Sequence, residues 1–134
     1  MSVRLPAASR NAAVDAVCGR LNGGTVEIRT GAQPATAADA ATGTLLATFT
    51  INNPAFDAAA NGAAALVVTP QLQAAGAAAG DAGWWRAKTS GGATVMDGSC
   101  SATGGGGDLT LNTVAVSVGL ALRLTGGTVS MPAG

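Results

Sequence analysis

Apolar positions recur with two different periods along this chain, and the change falls near residue 25. Before it, Val14, Val17, Cys18 and Leu21 stand at i, i+3, i+4 and i+7, which is one face of a helix. Arg10, Asp15 and Arg20 fall off that stripe. Ser9 can cap the helix, because its hydroxyl can accept from a free backbone N–H of the first turn. Asn22-Gly23-Gly24 ends it, since these residues tolerate positive φ. The spacing predicts a helix over 9–22. Residues 1–8 read as an extended arm, with Pro6 disfavouring helix at Leu5.

From Thr25 onward the period is two. Val26 and Ile28 share one face of Thr25–Arg29, and Leu45, Ala47, Phe49 and Ile51 share one face of Thr44–Ile51. Further strands are expected at Ala64–Thr69, Gly83–Thr89, Ala93–Asp97, Asp108–Val116, Leu120–Leu124 and Thr128–Met131. Gly126-Gly127 should separate the last two, and Gly104–Gly107 should form a flexible turn. The alanine-rich stretch Gln71–Asp81 should be a helical turn or irregular, because alanine favours helix. Together these features predict an all-β fold, a jelly-roll-like β-sandwich of about eight short strands. It occupies residues 25–134 and is preceded by the arm (1–8) and one short helix (9–22).

Composition narrows the function classes. A chain of 134 residues fits one domain that can hold its own core. Aromatics are only 3% of it, so the core must be built from Val, Leu, Ile and Ala with four large pieces, Phe49, Phe56, Trp84 and Trp85. Seven basic residues balance seven acidic ones, with no basic stripe to meet phosphates, so nucleic acid is not an expected partner. The longest apolar stretch, Val114–Leu124, is interrupted by Ser117, Gly119 and Arg123 and is too short for a bilayer, so no membrane partner is expected either. No basic-then-apolar leader opens the sequence, which points to a soluble protein made in a cytoplasm.

Catalytic chemistry finds little to use. The chain has no histidine and no tyrosine, which rules out triads that need a histidine base. Asp39, Asp57, Asp81, Asp97 and Asp108 mostly sit in turn-like contexts, so no catalytic residue, cofactor or metal site is expected. Gly104-Gly-Gly-Gly-Asp108 lacks the Lys and Ser/Thr of a phosphate loop. Cys18 and Cys100 read either as a disulfide or as two buried thiols.

Trp84-Trp85 is the pair with most to say about partners. Neighbouring strand residues point to opposite faces. Trp85 shares a face with Ala87 and should enter the core. Trp84 shares one with Arg86 and Lys88 and should face outward, which is the composition of an interface hot spot. The alternative is a tryptophan covered by its own chain. On the outward reading Trp84→Ala should weaken assembly and leave the monomer folded. The arm is the second interface candidate, which adds Arg4 and Arg10 to Trp84, Arg86 and Lys88 as expected contacts.

Several stretches taken in order resemble a group of small structural proteins of tailed bacteriophages, the capsid decoration or cement proteins. They are Arg10–Ala16, Ile28–Pro34, Gly43–Phe56, Gly83–Lys88, Val95–Ser99 and Gly105–Asn112. The resemblance implies a virion structural role with no enzymatic activity. It implies the major capsid protein and copies of the chain itself, as a dimer or trimer, as partners. It implies a location on the capsid surface after synthesis in the host cytoplasm. The alternative is a tail, baseplate or head-fibre component whose β-sandwich binds a host surface.

Overall fold

The computed structural model describes residues 3–132. One helix, α1 (Ala7–Gly19), precedes ten strands: β1 (Thr25–Arg29), β2 (Leu45–Thr50), β3 (Ala63–Ala65), β4 (Leu72–Ala75), β5 (Gly80–Asp81), β6 (Trp84–Lys88), β7 (Thr94–Ala102), β8 (Leu109–Leu111), β9 (Ala115–Val116) and β10 (Ala121–Ser130). The main sheet has the order β2-β1-β6-β7-β8-β10-β3, with β4 also paired to β10, while β5 and β9 form a separate pair. The sheet is mixed and curled, and the fold is all-β and sandwich-like. Across the open side, Ala77 just after β4 donates its N–H to Leu46 of edge strand β2 at 2.7 Å. Curling lets both ends of the sheet contribute to one core, in which Ile28, Leu46, Phe49, Trp85, Leu111 and Leu122 are buried.

The helix begins two residues earlier than Ser9. Pro6, extended at ψ 163°, precedes it, and the Pro6 carbonyl accepts the N–H groups of Ser9 and Arg10, both at 3.1 Å. Ser9 lies inside the first turn, because Ala7 and Ala8 extend a helix at little cost. Val14, Cys18 and Leu21 of the expected stripe are buried, but Val17 is 41% exposed. Three polar side chains dock the segment after β2 onto this element. Asn11, Asp15 and Asn22 accept the N–H groups of Gly62, Ala59 and Ala55 at 2.7, 2.9 and 2.8 Å. Met1 and Ser2 of the expected arm, and Ala133 and Gly134 at the end of the expected sandwich domain, lie outside the described residues.

Strands β1, β2 and β6 fall where period two places them. Elsewhere pairing overrides local pattern. Leu120–Leu124 and Thr128–Met131 are one continuous strand, β10. Gly126-Gly127 is not a turn but part of a bulged stretch paired to β8. A Cβ on Gly127 would fall 2.2 Å from Leu109 Cδ2, so any larger residue there would have to displace the Leu109 side chain. The alanine-rich stretch 71–81 holds no helical turn. It supplies β4 and β5, because Leu72 in register with Leu124 buries its side chain. Ala64–Thr69 contributes only the short β3 and a bridge at Leu66. Asp108–Val116 breaks in two at Asn112, whose side chain bonds β10 at Arg123 N (2.9 Å) and Ala121 O (3.2 Å).

The glycine run makes an unusual return. β7 and β8 are adjacent and parallel, a geometry that usually needs a crossover of about a dozen residues or more. Only Thr103–Asp108 intervene, and Gly104 and Gly106 adopt φ +86° and +84° to reverse the chain. Another glycine fixes the core. Trp85 lies over Gly98, its cross-strand partner, so that a Cβ there would come within 2.4 Å of the indole ring. The Trp85 N–H donates to Ser99 O at 2.7 Å.

Two outcomes check this packing. Trp85→Ala should cost about 3–5 kcal/mol in denaturant unfolding, as a large core truncation. Gly98→Ala should also lower the midpoint, because the added methyl has no room beneath the ring.

Cys18 and Cys100 are both free, the first buried and the second half-buried. Burial pushes both thiols up to about 11, helped at Cys18 by the charge of Asp15. The folded state therefore holds them protonated where the unfolded chain would ionise them. Their contribution to stability is present below pH 9 and is lost as pH rises from 9 towards 11. At pH 8 a disulfide reagent should label Cys18 far more slowly in the native protein than in denaturant.

Candidate interaction surface

Strand β6 runs between β1 and β7, and the register stacks charged side chains in rows on the sheet face opposite Trp85. Glu27, Arg86 and Asp97 form one row; Arg29, Trp84 and Ser99 form the next. Arg86 grips Asp97 with two parallel bonds, Nε to Oδ1 at 2.7 Å and Nη2 to Oδ2 at 2.9 Å. This fork geometry is the strong form of the ion pair. Only 5% of the Arg86 side chain and 3% of the Asp97 side chain are exposed. The guanidinium also lies 5.4 Å from the centroid of the Trp84 ring, within cation–π range. Glu27 accepts from Arg29 at 3.2 Å and from Lys88 at 3.1 Å. The hydrogen bond to Asp97 raises the Arg86 pKa; burial opposes it, and the charges of Asp97, Glu27 and Asp39 add to it. The guanidinium stays charged throughout.

Trp84 is buried, not outward-facing as the alternation predicts. Its exposure is 1%, and it belongs to neither apolar cluster of the core. The ring is on the face opposite Trp85, as period two requires, but that face is covered. The loop between β1 and β2 is drawn to it. Its base is closed by Thr30 N to Thr44 O at 3.1 Å and by Thr44 N to the Thr30 hydroxyl at 2.8 Å. Arg29 donates to Gly43 O at 3.4 Å, and Asp39 of the loop is close enough to act on Arg86. At Gly83, beside Trp84, a Cβ would collide with the Gly31 carbonyl of the same loop. Trp84 Nε1 and Arg29 Nε, on cross-strand neighbours, are buried without an acceptor among the described residues.

The five expected contacts therefore divide. Trp84, Arg86 and Lys88 share one face, but the first two are shut inside the fold and Lys88 is half-covered, tied to Glu27. Arg4 is exposed on the N-terminal segment. Arg10 is partly buried and internally engaged, donating to Leu5 O at 3.2 Å and Asn61 O at 3.3 Å. Arg4, Lys88 and Arg10 are the ones a partner can touch without rearrangement. Glu27, Arg29 and Asp97 were missed as members of this network. The signal was present, since Glu27 and Arg29 alternate with Val26 and Ile28, and Asp97 sits between Met96 and Gly98.

Other chemistry is sparse. No group of three His, Cys, Asp or Glu that could hold a metal occurs among the described residues. No helix among them is long and apolar enough to cross a membrane. Comparison with family models, curated proteins and solved structures finds no match to the chain.

Removing Asp97 leaves a buried cation without its partner, so Asp97→Ala should destabilise by about 3–5 kcal/mol. Trp84→Ala should lower the melting temperature of the isolated chain. A mutant that melts like the wild type would contradict the burial of the ring.

Proposed function

We propose that the chain is a virion structural protein, a capsid decoration or cement protein that stabilises a phage head by binding the major capsid protein. The observation that carries this reading is the ordered set of segments that resemble that group. Four of them, Ile28–Pro34, Gly43–Phe56, Gly83–Lys88 and Val95–Ser99, contain or overlap β1, β2, β6 and β7, which are consecutive in the sheet. The resemblance thus follows one continuous block of the fold. Low charge and a core stiffened by a buried ion pair suit a protein that works by contact alone. Its site is the capsid surface after synthesis in the host cytoplasm, and it acts there as a dimer or trimer.

A host-binding tail or fibre module would be expected to offer exposed aromatic rings. Burial of both tryptophans removes the ring on which that reading drew.

Purified protein mixed with empty or expanded phage heads should co-sediment at hundreds of copies per particle. Absence from heads, with a handful of copies in tails, would overturn the proposal.

A further inference from the structure

The sheet lacks a strand between the first half of β7 and the end of β10. β8 fills that position only over Leu109–Leu111, paired to Cys100–Ala102 on one side and to Leu124–Gly127 on the other. Before Leu109 the chain leaves the sheet through the glycine loop. Two adjoining cavities, of about 200 and 330 Å³, occupy the gap and share Met96, Val129 and Ser130 as lining. Trp85 and Asp108 border the smaller; Val14 and the exposed Val17 of α1 border the larger, which is almost wholly apolar.

Backbone groups point into this gap from both walls. Ser99 donates its N–H to the Asp108 carboxylate at 3.0 Å, on the β8 side of β7. Alternation turns the N–H and C=O of Asp97, two residues earlier, the same way. On β10, Met131 bonds Gly62 on the β3 side at 2.7 Å, while Thr128 bonds Asp108 O on the β8 side at 3.1 Å. Ser130 therefore faces the gap with both its backbone groups. Two open strand edges flanking an apolar floor fit an extended peptide, which would complete both ladders at once.

We propose that the occupant is the N-terminal arm of a second copy of this chain, exchanged reciprocally in a dimer. Val3 is 80% exposed, Arg4 is exposed, and Pro6 holds the arm extended at φ −67° and ψ 163°. Val3 and Leu5 alternate with Arg4, as an inserted strand requires. With the two apolar side chains on the floor, Arg4 lies on the opposite face. Asp108, just ahead of β8, borders the groove, and its carboxylate accepts from the Ser99 N–H and hydroxyl at 3.0 and 3.1 Å. No cation is within salt-bridge distance of Asp108 among the described residues, so an incoming arginine is complementary. The arm also starts in the right place. Gly62 packs against both Arg10 of α1 and the Met131 carbonyl, which sets the base of the arm beside the groove. Under two-fold symmetry each arm enters the other copy's groove and both close together. Arm exchange requires no capsid, so it stands or falls apart from the shell reading.

The test is sedimentation equilibrium of the full chain across a concentration series, with amide hydrogen exchange at Asp97 and Ser130. A dimer is expected in which both amides exchange slowly. Val3→Asp, at an exposed position, should leave the melting temperature of the monomer unchanged. It should raise the dimer dissociation constant by about tenfold or more and release both amides. A chain that stays monomeric with fast exchange at both positions overturns the proposal. So does a dimer indifferent to Val3→Asp. A monomer with both amides protected also overturns it, since the arm then fills its own groove.

Discussion

Everything in this fold depends on a central strand, β6, that is buried on both faces. A strand in an ordinary antiparallel sheet can leave one face to water. Here Trp84 and Arg86 on one face are as closed off as Trp85 and Ala87 on the other. The charged residue makes this possible only because Asp97 of the next strand receives it with two short bonds. A buried arginine without that partner would carry the desolvation penalty of an unpaired ion. On the opposite face, Trp85 fits only because Gly98 leaves room beneath its ring. Both requirements are met by two adjacent residues of β7, Asp97 and Gly98. β6 and β7 therefore specify each other, and β1 joins through Glu27.

The sequence made the strands with clean alternation legible. β1 alternates cleanly, β2 and β6 are bounded by their own turn signals, and Val14 and Cys18 mark the buried face of α1. The burial of Trp84 was not legible. Arg86 and Lys88 mark a wet face by composition, and only the distant loop 30–44 and the Asp97 carboxylate turn it into a dry one. The alanine-rich strands were hidden for a related reason. Nothing local distinguishes Leu72–Ala75 from a helical turn, and pairing with β10 decides it. Gly126-Gly127 shows how the same residue type serves two ends: it reads as a turn, but here it lets β10 pass close to Leu109.

The same constraint shapes what the surface can do. Both tryptophans and Phe49 are committed inside, which leaves the half-buried Phe56 as the one partly accessible aromatic ring among the described residues. The open positions are instead the N-terminal segment, Lys88 and the groove between β7 and β10. Such a surface offers backbone groups and small apolar side chains, rather than large aromatic rings, for contact.

The claim that β6 is closed on both faces is tested most directly by tryptophan fluorescence of the isolated chain, since Trp84 and Trp85 are its only indoles. Both should emit at short wavelength and resist quenching by iodide and acrylamide until the protein unfolds. A native spectrum with one readily quenched, long-wavelength component would place Trp84 in water and contradict the account.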